Sequence, residues 1–262
     1  MNKLNISALV LAKNEEAVIE GCLKQLGFVS EIIVLDQEST DKTVKIAKKY
    51  ADKVLKTQDG SFAKNRNTLA EVAKYDWLLY LDTDERIDEN NVEEIESSIK
   101  NEQYSAYYFP RKNIVLGKWL KHGGWWPDYV PRLFKKKDLI KWVGTVHESP
   151  QVKGNIKYLE SPITHLTARS MDLMFQKTIK WAKVEAELFH RANFPKVTQF
   201  TICKSMMREF IARYFAKLAI LDGKVGLIES VYQSLHQAIV QVYLWEIQNE
   251  VEEKFKQESK AK

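Results

Sequence analysis

Residues 77–86, Trp-Leu-Leu-Tyr-Leu-Asp-Thr-Asp-Glu-Arg, constrain the fold of this chain more than any other stretch. The apolar run 77–81 has the length of a strand buried on both faces of a parallel sheet. It stops abruptly at Asp82-Thr83-Asp84-Glu85. Three carboxylates at one strand end repel one another unless something cationic sits among them. In extended backbone Asp82 and Asp84 point the same way, so both reach one divalent ion or its bound ligand. The bland alternative is an acidic loop ahead of a helix that starts near Asp88. An isolated Asp-x-Asp allows either reading.

The segments before this run alternate in period. Strands are expected over 5–12, 31–35 and 52–56, and helices over about 15–26, 41–50 and 63–74. Val18, Ile19, Cys22, Leu23 and Leu26 give the first helix an apolar face, with Asn14 as its expected cap. Strand and helix in alternation predict an α/β fold, a mostly parallel sheet with helices on both faces. Ligands of such sheets bind beyond the carboxyl ends of the strands. Lys13, Asn14, Glu15, Asp36, Asp41, Asp82 and Asp84 collect there. The first strand runs into Ala-Lys-Asn-Glu-Glu with no glycine, which disfavours a nicotinamide dinucleotide site, and there is no P-loop lysine motif. A diphosphate would have to be held by side chains and a metal.

The 262 residues suit one large domain or one domain with an appendage. A formal charge of +5 permits an anionic partner. Nucleic acid is not expected, since there is no zinc-finger pattern, aromatic RNP-like strand or dense arginine run. Cys22 and Cys203 lie far apart in apolar segments and read as buried thiols of a reducing compartment. The chain enters a strand directly, without a charged leader, so no secretory signal is expected. No stretch approaches the about 18 apolar residues of a spanning helix.

Several pieces stand in a fixed order along the chain: Ile6 to Glu16, Ile32 to Asp41, Lys64-Asn-Arg-Asn67 and Trp77 to Arg86. Beyond them come Trp125-Trp-Pro-Asp128, Arg132-Leu-Phe-Lys135, Gly144-Thr-Val-His-Glu148, His165 and Leu221-Asp-Gly223. In this order and spacing they resemble the family 2 glycosyltransferases with a GT-A fold, and among them the bacterial lipopolysaccharide-core glycosyltransferases. Asp36-Gln37-Glu38 departs from the family's usual small residues, and Thr83 stands where Ala is common. The resemblance implies a catalytic domain over 1–168, its nucleotide-sugar half 1–100 and its acceptor half 101–168. Residues 169–262 would be a helical extension.

By the same resemblance, Asp36 would hydrogen-bond base or ribose, and Asp82 would sit against ribose and metal. Asp84 would bind Mg²⁺ or Mn²⁺, with Asn14 and Glu15 near the nucleotide. Oxygen ligands suit these ions, and the ion would stabilise a nucleoside diphosphate leaving group. Arg66 could add a forked bond to phosphate, or be an ordinary surface ion pair. Asp41 is either a first-turn acid or a contact. An inverting transfer needs a base. Family position implies Glu148, with Asp128 as runner-up and His147 as a possible helper. His165 matches a place where related folds supply a histidine to metal or diphosphate, although a single histidine on an apolar strand is as often a satisfied core group.

A strand at 104–109, an edge strand at 132–136 and a glycine-rich aromatic loop at 123–128 are expected in the second half. Aromatic and carboxylate residues in loops suit sugars, while Trp125 or Trp126 alternatively plugs the core. Helices are expected over 172–191, 198–220 and 226–256, the first with Met174, Phe175, Ile179, Ala182, Ala186 and Phe189 on its apolar face. Basic and aromatic rims, including Arg208, Arg213 and Lys217, suit packing within the chain, a homo-oligomer contact or an anionic membrane surface.

The leading expectation is thus a metal-dependent inverting transferase using a UDP-sugar, first guess UDP-glucose. Its acceptor would be a glycolipid or oligosaccharide of the lipopolysaccharide-core type, met at the cytoplasmic face of a membrane. One alternative is a nucleotidyltransferase, which normally has a glycine-rich basic loop after its first strand. The other is a glycan- or membrane-binding protein on a decayed scaffold, against which intact Asp82, Asp84 and Glu148 argue.

Overall fold

The computed structural model describes residues 3–58, 61–144, 148–168 and 170–250. The chain packs into two units, one of residues 1–112 with 127–166 and one of 113–126 with 167–262.

In the first unit the elements are β1 (Leu4–Ala12), α1 (Ile19–Lys24), β2 (Val29–Asp36), α2 (Thr43–Ala47), β3 (Lys53–Lys56), α3 (Phe62–Val72) and β4 (Trp77–Asp82). They continue with β5 (Glu85–Arg86), α4 (Glu89–Ile99) and β6 (Tyr104–Val115), whose last residues enter the second unit. Strands β3, β2, β1 and β4 lie side by side, all parallel. The expected mostly parallel α/β sheet is what forms.

Alternation along the strands builds its two faces. Ile6, Ala8 and Val10 of β1, Ile32 and Val34 of β2, and Leu79 and Leu81 of β4 pack with Ile19, Cys22 and Leu23 of α1. Leu9, Ile33, Leu35, Leu78 and Tyr80 turn to the other face, against Ala63 and Leu69 of α3. Each fully buried aliphatic side chain contributes roughly 1.5–3 kcal/mol. That is why the 77–81 run carries no charged residue, and its one hydroxyl, on Tyr80, donates to the Arg66 carbonyl at 2.9 Å.

The sequence crosses after β7 (Lys118–Trp119) into β8 (Tyr129–Lys135), which runs antiparallel between β4 and β6. Residues 132–136 were expected at a sheet edge. Instead Arg132, Leu133 and Phe134 are buried in the middle of the sheet. Next come β9 (Leu139–Val143) and β10 (Ser149–Val152), paired as a separate hairpin, then β11 (Asn155–Tyr158) beside β6 and β12 (Ile163–Ala168) beside β5.

The first helix is shorter than expected, and Asn14 does not cap it. Asn14 is left-handed at φ 55. Its N–H donates to Ser39 Oγ at 2.8 Å, and its Oδ1 accepts from Thr40 N–H at 2.8 Å. Asn14 therefore stitches the loop after β1 to the loop after β2.

In the second unit, α5 (Met171–Arg191), α6 (Gln199–Ile211) and α7 (Gly223–Gln248) form the helical part. On α5, Met174, Thr178, Ala182 and Ala186 are buried, whereas Phe175 and Ile179, expected on the apolar face, are exposed. The continuous helix expected over 198–220 is broken. After Ile211 the backbone widens through a π-helical turn, Ala212–Ala216, and Leu218 is left-handed at φ 59. The break lets Ala219 lie against α7 so closely that a Cβ on Gly226 would come 2.0 Å from its carbonyl oxygen. Gly226 is thus a contact glycine inside α7. Cys203, expected buried, is exposed.

Trp125 packs beside Val115, Leu120, Ala168 and Met174, and Trp126 meets Trp119 edge-on with ring centroids 5.3 Å apart. The plug reading thus fits Trp125.

Candidate active site

Every residue named above as a ligand, nucleotide contact or base candidate, His147 aside, belongs to the first unit. His147 lies outside the described residues.

At the end of β4 the acidic tip is braced by protein cations. Arg66, 5% exposed on α3, donates from Nη2 to Asp82 Oδ1 at 3.0 Å. Arg132, from β8, donates to Asp82 Oδ2. The same guanidinium forks onto Glu85, Nε to Oε2 at 2.8 Å and Nη2 to Oε1 at 2.7 Å. Glu85 is fully buried and also accepts the Asp82 N–H at 3.1 Å. Burial opposes the charge on Asp82, but Arg132 and then Arg66 outweigh it and hold the carboxyl well below the usual range. Burial likewise opposes the charge on Arg132, and Asp82 and Glu85 more than restore it.

Thr83 and Asp84 form the turn between β4 and β5 rather than extended backbone. Asp84 Oδ2 lies 3.3 Å from His165 Nε2, and the Asp84 carbonyl accepts the Leu166 N–H at 2.9 Å. The pair comes together because β12 runs antiparallel to β5, with His165 opposite Glu85. His165 also favours the charged form of Asp82, and Asp84 that of Arg132. These four side chains therefore share one electrostatic neighbourhood.

Asp84 Oδ2 and His165 Nε2 lie close enough together to bind one divalent ion, the carboxylate being the ligand a hard ion favours and the imidazole one that transition metals favour. Among the described residues no group of three or more His, Cys, Asp or Glu side chains is arranged to hold a metal. Each Asp82 oxygen accepts from an arginine, and its side chain stays one-third exposed.

At the end of β2, Asp36 is 1% exposed. Its Oδ2 accepts the Ser39 N–H at 3.1 Å, while Oδ1 is buried with no hydrogen-bond partner among the described residues. A buried carboxylate oxygen without a donor costs stability unless a ligand supplies one. A groove of about 410 Å³ opens alongside, lined by Glu38, Ser39, Thr40, Lys56, Thr57 and Gln58. The Thr57 N–H donates to the Asp36 carbonyl at 2.9 Å, which ties this groove to the strand end. Glu15, on the adjoining loop, donates its N–H to Thr43 Oγ1 at 2.7 Å. Asp41 accepts from Thr43 N at 2.9 Å and Glu16 N at 3.0 Å, the pattern of a turn acid.

The two base candidates differ in their surroundings. Asp128 Oδ2 accepts both Nε and Nη2 of Arg111, at 2.8 and 2.7 Å. Among the described residues Glu148 Oε1 meets only the long contact to Arg66 Nε, at 3.4 Å. Arg66 thus links Asp82 to Glu148. Its guanidinium lies 4.7 Å from the Trp142 ring centroid and 5.5 Å from that of Tyr80, which hold it in place. Cys22, beneath the tip, has its thiol pushed far up by burial and stays protonated.

Glu85, Arg111, Arg132 and Trp142 were given no site role by the sequence reading. The signal was present for two of them: Glu85 is the third acid of the tip, and Arg132 is a charge inside an apolar strand, which demands a partner.

The glycosyl transferase family 2 model matches residues 7–158. A Rickettsia bellii protein described as a glycosyltransferase is 36% identical over 250 residues, covering 86% of this chain and 81% of its own length. The Rhizobium meliloti lipopolysaccharide core biosynthesis glycosyltransferase LpsC is 24% identical over 198 residues, covering 71% and 72%. Among solved structures, S. aureus TarS residues 1–349 with UDP-GlcNAc matches with 14% identity and a TM-score of 0.46, over 94% of this chain and 92% of that one. The family match spans more than half of the chain and takes in the strand ends that carry Asp36, Asp82 and Asp84: the protein belongs to glycosyl transferase family 2.

Proposed function

We propose that this glycosyltransferase moves one sugar, first of all glucose from UDP-glucose, onto a hydroxyl of a lipopolysaccharide inner-core or related glycan, with inversion. The observation that carries the reading is the unpartnered, buried Oδ1 of Asp36 beside an open groove, on the same sheet end as the Asp84–His165 pair. A donor group of a base or ribose would satisfy that oxygen. Asp84 and His165 would hold Mg²⁺ or Mn²⁺, which when bound supplies positive charge to the departing diphosphate.

The chain's own residues do the rest. Glu148 takes the proton of the attacking acceptor hydroxyl. As that oxygen bonds to the anomeric carbon, the bond from this carbon to the diphosphate oxygen breaks on the opposite side. Arg66 couples the two halves, since it holds Asp82 and contacts Glu148. Asp128, taken up by Arg111, orients rather than deprotonates. The 24% identity to a lipopolysaccharide core enzyme supports the acceptor class. A lipid-borne acceptor would place the enzyme peripherally at the cytoplasmic face of a membrane. No helix among the described residues is long and apolar enough to cross one.

The test is UDP release from a panel of UDP-sugars, with and without Mn²⁺, before and after adding a heptose-containing oligosaccharide. Ion-dependent release with one preferred donor, raised by the acceptor, is expected. Release that is indifferent to the ion and unchanged in Asp84→Ala would overturn the metal assignment. No turnover of any UDP-sugar would overturn the donor.

A further inference from the structure

Helix α6 is unusual in the second unit because none of its residues is buried. Its apolar side chains are not scattered. Phe200, Met207 and Ile211 recur at spacings of seven and four, which puts them on one stripe of a 3.6-residue helix. They are 72%, 60% and 48% exposed. The stripe continues around the elbow that follows, through Phe215 at 54%, Leu218 at 49% and Leu221 at 64%. So much contiguous apolar surface on a helix and its exit is a mark of an interaction site.

The charges beside the stripe identify what it meets. Between 199 and 221 every exposed charged side chain is positive: Lys204, Arg208 and Lys217. The only acid in α6 and the elbow before Asp222, Glu209, is half-buried and taken by Arg213 Nε at 2.6 Å. Asp222 is itself buried and accepts the N–H groups of Lys121 and His122. Lys204 and Arg208 also line an open groove of about 230 Å³ with Phe194, Thr201 and Ser205. A symmetric pairing of two copies across this face would bring like charges together, because an isologous contact places the same patch of the second copy against this one. An apolar stripe whose own exposed charges are all cationic fits an anionic bilayer instead. There apolar side chains enter the acyl boundary while Lys and Arg stay with the phosphates.

We infer that the outer face from Phe200 to Leu221 docks this enzyme on the surface of a membrane rich in anionic phospholipid. The inference takes its purpose from the proposed lipid-borne acceptor, but its physical basis is the surface alone. Co-sedimentation of the full-length protein with phosphatidylglycerol-containing vesicles, against pure phosphatidylcholine vesicles, tests it. Binding to the anionic vesicles only, falling as salt rises from 50 to 500 mM, is expected. Each basic side chain near such a surface is worth about a fivefold factor in partitioning, so the triple change Lys204→Gln, Arg208→Gln, Lys217→Gln should lower it roughly a hundredfold. Phe215→Ser with Leu221→Ser should also release the protein from vesicles.

None of these residues belongs to the catalytic site, so UDP release without acceptor should persist in both variants and report that they are folded. Absence of binding by the wild type overturns the inference, as does salt-independent binding. A concentration-dependent dimer abolished by Phe215→Ser with Leu221→Ser would assign the face to a second copy and overturn it too. Failure of vesicle binding with UDP release intact strikes this inference alone. Binding without turnover of any UDP-sugar strikes the proposed reaction instead.

Discussion

Replacing Arg132 by Met tests the electrostatic account of the site more directly than removing any carboxylate. Arg132 is 4% exposed and holds two acids at once. Met keeps much of its volume and none of its charge. Glu85, with no exposure, would retain the Asp82 N–H at 3.1 Å and Arg111 Nη1 at 3.9 Å. Asp82 would retain Arg66 at 3.0 Å. Breaking a buried pair from one side costs about 3–5 kcal/mol, out of a typical total of roughly 5–15. For a chain of this size that is a fall in Tm of about 10 °C.

The pH dependence follows from the signs. In the wild type, Asp82 is depressed below its unfolded value. Its contribution is therefore complete above about pH 4 and is lost only as pH falls below that. Arg132→Met removes the stronger of the two cations that hold Asp82 charged, so this part of the deficit is present above about pH 4 and fades below it. Glu85 is left buried without its forked partner. Urea denaturation followed by tryptophan fluorescence should show a deficit of about 3–5 kcal/mol at pH 7.5. Adding Glu85→Gln should recover part of it. A deficit below about 0.5 kcal/mol, or one indifferent to Glu85→Gln, would refute the reasoning.

Other sites give separable outcomes. Glu148→Gln should lower kcat by roughly 10²–10⁴-fold while leaving donor binding, read by calorimetry with UDP, nearly unchanged. Asp84→Asn should weaken Mn²⁺-dependent UDP binding and leave urea stability within about 0.5 kcal/mol. In the helical unit, burial raises the Glu229 carboxyl to about 7 against smaller opposing effects of Gln233 and Arg213. A raised acid costs stability as pH climbs from its unfolded value to its folded one, so Glu229→Gln should be near neutral at pH 5 and stabilising by up to about 3 kcal/mol at pH 8. Gly226→Ala should destabilise by about 1–3 kcal/mol in the same denaturation assay, because its Cβ would meet the Ala219 carbonyl oxygen at 2.0 Å.

Which parts of this molecule can be read from its sequence follows from which constraints are local. Strands β1, β2 and β4 are buried on both faces, so most of their positions are apolar and the runs are visible without knowing their neighbours; the buried exceptions before the strand ends, Ser7 and Glu31, hydrogen-bond each other at 2.6 Å. The carboxyl ends are visible because polarity returns there abruptly. Helix caps and breaks were harder. Asn14 looks like a cap until Ser39 and Thr40, about 25 residues away, claim its backbone and side chain. The break after Ile211 depends on how close Gly226 comes to Ala219, a contact no periodicity reveals. The acidic tip was legible as a demand for positive charge, but not in how the demand is met. Arg66 arrives from α3 and Arg132 from β8, some 16 and 50 residues from Asp82 along the chain. Protein cations thus neutralise Asp82 and Glu85, and Asp84 is the acid that faces His165. A tip of three acids does not imply a three-acid metal site. Arginine holds two of them, and the third pairs with His165.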